Sequence, residues 1–207
     1  MMVLGLTGGV GAGKSRILGL FSEDYGAQVI QADLVARELE EPGQPGLTGL
    51  VSLFGNEILS PDGTLDRKRF ADRIFGNPEA LKRVNALIHP LTWNEIKCRI
   101  RESKADLVVV EAALFDERSS DICQYLVYVD TEDEVRIRRL MENRGYSREK
   151  CLGIMKNQAD RSRFEELADF VIDNSGPIDA ARKQIGQMLD QIKQQGKQMP
   201  PGATAER

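Results

Sequence analysis

The sequence predicts an α/β protein built on a five-stranded parallel sheet. Three observations predict it. A glycine-rich phosphate loop sits between a strand and a helix at the start of the chain. Five short apolar runs are separated by helical patterns. About 75 residues without a strand interrupt that alternation, too many for a simple crossover, which marks a helical insertion.

The first apolar run, Met2-Val3-Leu4-Gly5-Leu6, is long enough for one buried strand. It leads into Gly8-Gly9-Val10-Gly11-Ala12-Gly13-Lys14-Ser15, which fits G-x-x-x-x-G-K-S, and Arg16-Ile17-Leu18-Gly19-Leu20-Phe21 can start the helix behind it. Glycines let backbone N–H groups converge on phosphate oxygens without Cβ clashes, and the helix N-terminus adds partial positive charge there. Lys14 would reach the β- and γ-phosphates, and the Ser15 hydroxyl would ligate magnesium. The nucleotide-binding set is thus Gly8, Gly9, Gly11, Ala12, Gly13, Lys14, Ser15 and Arg16. A plain glycine turn competes with this reading, but it does not require Lys14-Ser15 after the last glycine.

The other strand runs are Ala27 to Ile30, Leu107 to Val110, Tyr125 to Val129, and Phe170 to Ile172. The long gap after the second run holds helical stretches at Thr64 to Ile74, Pro78 to Ile88 and Leu91 to Lys104. Turn signals stand at Pro42-Gly43, Pro45-Gly46, Pro61-Asp62-Gly63 and Asn77-Pro78. The insertion belongs at the C-terminal edge of the sheet, where open α/β folds bind their substrates. After Val129 comes an arginine-rich helix, Glu132 to Arg144. A turn at Gly145-Tyr146-Ser147, with Ser147 a good N-cap, leads to a second helix, Arg148 to Arg163. A last helix runs near Ile178 to Ile192, and residues 193–207, rich in Gln, Lys, Pro and Gly, read as a disordered tail. The division expected is a core of 1–34 and 105–192, with an insertion at 35–104.

The 207 residues suffice for a sizeable core, and 41% hydrophobic with 29% charged content is ordinary for a globular protein. A net charge of −4 argues against non-specific nucleic-acid binding, which depends on cations neutralising phosphates. Cys98, Cys123 and Cys151 are odd in number and widely spaced, which suits reduced thiols rather than a disulfide framework or a zinc motif. The apolar N-terminus is too short for a signal peptide, and no stretch approaches a membrane span. The expectation is a cytoplasmic protein with no membrane partner.

Asp33 stands three residues beyond the second strand run, at the mouth of the sheet. Position alone reads it equally as the N-cap before Leu34-Val35-Ala36 and as an acid that orients a hydroxyl toward the γ-phosphate. Arg37 shares a helical face with Asp33, either as an ordinary ion pair or as an anion contact for an acceptor. His89, the single histidine, precedes Pro90 at the break between two helices; alone it reads as a structural residue, since a metal cluster needs more ligands. Arg136, Arg138, Arg139, Arg144 and Arg148 read either as a solvated face paired with Glu132, Glu134 and Glu142, or as lid cations that stabilise a transferring phosphoryl group. The phosphate loop favours the lid, spanning about 132–163. Asn157-Gln158-Ala159-Asp160 superficially matches a guanine-specificity motif, but it lacks the lysine and sits in a helical pattern.

Taken in order, these residues resemble the bacterial dephospho-coenzyme A kinase family. The resemblance runs from Val3 to about Gly176. It rests on Leu6-Thr7 with the loop, Ala32-Asp33 with Val35-Ala36-Arg37, Phe54-Gly55, and Asp62-Gly63-Thr64-Leu65-Asp66-Arg67. It continues through Leu87-Ile88-His89-Pro90, Glu111-Ala112-Ala113-Leu114-Phe115, Gln158, and Ala168-Asp169-Phe170-Val171-Ile172-Asp173-Asn174. The loop alone indicates a nucleotide binder; the ordered series is more specific.

The resemblance implies a three-layer P-loop kinase fold with a helical acceptor-binding insertion and a helical lid. It implies transfer of the ATP γ-phosphate, with Mg²⁺, to the ribose 3′-hydroxyl of dephospho-CoA by a monomer or weak homo-oligomer. Another P-loop kinase, acting on a nucleoside or nucleotide, is the alternative. Asp33 and Lys14, with Arg139 or Arg144 from the lid, are the implied catalytic groups. Asp33, Arg37, His89 and Pro90 are the implied acceptor contacts. Two departures stand out: Gln31, where the family often has a second acid, and Arg16, where it often has threonine.

Overall fold

The computed structural model describes residues 1–113, 115, 122–158 and 161–198. Its centre is the strand β1 (Met2–Gly8), almost wholly buried. Around it lie β2 (Gln28–Gln31), β3 (Leu107–Glu111), β4 (Tyr125–Asp130) and β5 (Phe170–Asp173), in the order β2-β3-β1-β4-β5. Every pairing is parallel. Such strands need apolar residues on both faces, which explains runs like Leu107-Val108-Val109-Val110.

Helices cover both faces. On one, α1 (Lys14–Tyr25) and the last helix, α9 (Ile178–Gln198), pack Ile17, Phe21, Ile185 and Leu189 against Leu4, Leu6, Val109 and Val127. Phe21 and Ile17 are fully buried; each such side chain contributes roughly 1.5–3 kcal/mol by leaving water. On the other face, α2 (Ala32–Leu39) and α5 (Pro78–Glu102) set Val35, Leu39, Trp93 and Ile96 against Val3, Val108 and Val110. The period-2 alternation of each strand feeds both layers.

Two smaller apolar clusters stand apart. In the insertion, α3 (Pro45–Phe54), α4 (Arg67–Ile74) and the first half of α5 gather Leu50, Phe70, Val84 and Ile88, with Ile58 from a 3₁₀ turn between α3 and α4. The arm after β4 comprises α6 (Asp133–Arg144), α7 (Arg148–Lys156) and α8 (Arg161–Leu167). Its cluster is Ile137, Leu140 and Cys151, and Val10 of the glycine-rich loop packs against it.

The helix ends explain several differences from expectation. Pro45 opens α3 at its first turn rather than marking a turn, a position that tolerates the missing N–H. Ser147 caps α7 as expected, accepting from Lys150 N at 3.2 Å. The expected helix Arg148 to Arg163 is two helices, α7 and α8, with residues 159–160 of the segment between them outside the described residues. The expected break at His89-Pro90 is absent: α5 is one 25-residue helix with Pro90 inside. Pro90 deprives Ala86 C=O of its helical donor. Burial outweighs that loss, because Val84 and Ile88 are held in the insertion cluster while Trp93, Ile96 and Ile100 are held on the sheet. The last helix also continues past Ile192 to Gln198, since its Gln and Lys residues are good helix formers; the rest of the expected tail, 199–207, and Leu114 lie outside the described residues. Among the described residues no helix is long and apolar enough to cross a membrane.

Candidate active site

β1 ends at Gly8, and α1 begins at Lys14 with Gly13 as its cap residue and no side-chain cap. Gly13 has φ 85°, and a Cβ there would stand 2.5 Å from Asn174 Nδ2. Only glycine meets both demands. Among the described residues no protein group accepts from the amides of Gly11, Gly13, Lys14 or Ser15. Open N–H groups at a helix N-terminus form an anion cradle.

The loop is fixed from behind by its carbonyls. Ala12 O accepts from Asn174 Nδ2 at 2.8 Å, Thr131 Oγ1 at 3.0 Å and Arg139 Nη1 at 3.3 Å. Asn174 follows β5 and Thr131 follows β4, and both are buried. Two strand ends therefore hold one peptide of the loop. Lys14 Nζ donates to Gly8 O at 2.9 Å and lies 3.6 Å from Glu111 Oε1. Glu111, 9% exposed at the end of β3, thus keeps the lysine beside the loop, and β-pairing puts Gln31 next to it.

A cavity of about 830 Å³ opens over this loop. Gly8, Gly9, Gly11, Gly13, Lys14 and Ser15 line one side. Asp33, Leu34 and Arg37 on α2 line another, with Gln31 and Glu111 between them. Arg139, Asn143 and Arg144 of α6, and Gln158, complete it. Asp33 is not the cap of α2; Gln31 holds that place, and Asp33 falls in the first turn. Among the described residues Asp33 and Arg37 form no ion pair with each other, so both face the cavity uncommitted.

The expected site is thus largely brought together, with four exceptions. Ala12 is buried and contributes its carbonyl, not a cavity wall. Arg16 is exposed and outside the lining, though its charge is felt by Arg139. His89 is exposed on α5, and neither it nor Pro90 lines the cavity. The two expected lid arginines also differ. Arg139 donates to Ala12 O and, at 2.8 Å, to Asn174 O; burial first, then the Arg16 and Arg138 charges, lowers its pKa. Arg144 is exposed, lines the cavity, and has no ion-pair partner among the described residues. Sequence reasoning had no role for Glu111 or Asn174, which entered only within blocks of family resemblance, and it met Gln158 otherwise only in the rejected guanine-specificity match.

α8 is anchored to the sheet beside the site. Arg161 pairs with the buried Asp130, and the Phe164 ring stacks on Tyr128 at 5.1 Å between centroids. Burial, reinforced by Asp130, pushes the Tyr128 hydroxyl up to about 12.

A parallel sheet ending in a P-loop, an acid and an arginine across the cavity, and an arginine-bearing helical arm define a P-loop kinase. The dephospho-CoA kinase family model matches residues 2–180. The chain belongs to that family. A dephospho-CoA kinase of Streptomyces avermitilis is 35% identical over 208 residues, covering 100% of both chains. A crystal structure from Thermus thermophilus superposes with TM-score 0.78 at 27% identity, covering 92% of this chain and 97% of that one. Dephospho-CoA kinase from Campylobacter jejuni shares the fold, with TM-score 0.60 at 23% identity, covering 92% of this chain and 96% of that one.

Proposed function

We propose that this chain transfers the γ-phosphate of ATP to the 3′-hydroxyl of dephospho-CoA, giving CoA and ADP, the last step of CoA biosynthesis. The observation that carries this reading is the shared cavity: the phosphate loop, Lys14 and Ser15 on one wall, Asp33 and Arg37 on the other. The loop amides and Lys14 hold the β- and γ-phosphates. Asp33 orients the ribose 3′-hydroxyl and accepts its proton as the oxygen–phosphorus bond forms and the bond to the β-phosphate oxygen breaks, leaving ADP. Arg37 engages an anionic group of the acceptor, and Arg144 reaches the transferring phosphate from the arm, here acting as a lid.

Magnesium fits this donor set. No cluster of three or more His, Cys, Asp or Glu side chains exists among the described residues. The exposed Ser15 hydroxyl and the Glu111 and Asp33 carboxylates border one space, which suits an ion that takes few protein ligands and completes its shell with phosphate and water. When bound, the ion neutralises charge on the phosphates. The same reading places the reaction in the cytoplasm.

The test is a coupled ADP-release assay with Mg-ATP, with and without dephospho-CoA, and mass analysis of the product. Acceptor-dependent release with one added phosphate supports the assignment. Release indifferent to the acceptor overturns it.

A further inference from the structure

Val10 occupies a variable position of the loop motif and carries no chemistry of its own. Yet the arm holds it at three points. Its side chain packs against the arm cluster of Ile137, Leu140 and Cys151. Its N–H donates to Gln158 Oε1 at 3.1 Å. Its carbonyl accepts from Arg136 Nε at 3.0 Å. Arg136 Nη2 then donates to the same Gln158 oxygen at 2.8 Å, closing a hydrogen-bonded ring around one residue.

Gly9 shows that this ring is built in. Its φ is not in the left-handed region, so its backbone does not need glycine. A Cβ at Gly9 would nevertheless stand 2.8 Å from Arg136 Cζ and 3.2 Å from Gln158 Oε1. The glycine makes room for the guanidinium.

We infer that Gln158 is a positioning residue that, together with Arg136, latches the α6–α8 arm to the phosphate loop before nucleotide arrives. Gln158 comes 148 residues after Val10 and joins α7 to α8, while Arg136 lies in the first turns of α6. The start of the arm and its α7–α8 junction therefore close on one residue, through the two peptide groups that flank Val10. The loop needs less ordering when phosphate binds, which strengthens binding without a new contact to the ligand. Such a contribution is present in ground and transition states alike, so it belongs in KM rather than kcat. Only this kinetic consequence rests on the kinase reading above.

Three substitutions in the full chain test the latch: Gln158→Leu removes the acceptor, Gln158→Glu keeps one, and Gly9→Ala evicts the guanidinium. The first readout is hydrogen exchange at the Val10 amide without nucleotide. Gln158→Leu and Gly9→Ala should each speed it about tenfold, the scale of one hydrogen bond, whereas Gln158→Glu should stay near wild type. The second readout is ADP release: Gln158→Leu should raise KM for ATP about tenfold with kcat within about twofold. Val10 exchange unchanged in both Gln158→Leu and Gly9→Ala overturns the proposal, as does a fall in kcat at constant KM. Should Gln158→Leu not fold, Gly9→Ala against Gln158→Glu makes the same comparison. If dephospho-CoA is not the acceptor, amide exchange still decides the latch.

Discussion

The two walls of the cavity are built differently. On the phosphate-loop side the groups behind the open amides are engaged by the protein itself: Ala12 O by three donors, Val10 by the arm, Lys14 by Gly8 O and Glu111. On the α2 side Asp33 and Arg37 are exposed and stand on the first and last turns of an eight-residue helix. The donor wall is main chain, held from the ends of β4 and β5. The acceptor wall is exposed side chains, which on the proposed reading find their partners in the substrate. Preorganised backbone suits a ligand end common to all P-loop enzymes; open side chains suit the end that distinguishes one acceptor from another.

That contrast can be broken from either side. The largest effect is expected on the acceptor wall: Asp33→Asn should lower kcat about 10³-fold while ATP affinity, read by nucleotide titration, stays within about twofold. Near-normal turnover would remove Asp33 from the chemistry. Next, Arg144→Ala should lower kcat about 10²-fold, because its guanidinium is uncommitted and meets charge that develops on the phosphoryl group. An equal loss from Arg139→Ala would blur the distinction between them. Arg37→Ala should raise KM for dephospho-CoA about tenfold, the scale of one charge-assisted hydrogen bond, and leave KM for ATP unmoved. The smallest effect tests the donor wall alone: Asn174→Ala should lower the melting temperature by about 2–4 °C, since it removes one buried hydrogen bond from a protein of this size.

The donor wall was also the more legible in sequence. Its strand is an unbroken apolar run, and its glycines, lysine and serine are contiguous. Asp33 was visible only as one of two roles, and the structure removes the cap. Pro90 misled because the rule that proline ends helices ignores what each half of α5 buries. Which arginine of the arm is already engaged depends on which carbonyls happen to be near, as with Arg139 and Asn174 O, and spacing along a helix cannot report that. Asn174 lies 162 residues from Ala12 and carries no local signal of the contact. The family blocks flagged such positions without saying what they do.

The cavity also draws Lys14, Arg37, Arg139 and Arg144 to one mouth, against Asp33 and Glu111, in a chain whose net charge is −4. Four cationic side chains against two carboxylates make this opening positive, opposite in sign to the chain as a whole. Encounter with a nucleotide is thereby given a direction, through a field that reaches about 8 Å at physiological ionic strength. The same field that hastens arrival restrains departure of the charged product. Raising salt therefore slows entry and speeds exit, and the ionic strength at which the protein works sets which of the two limits its traffic.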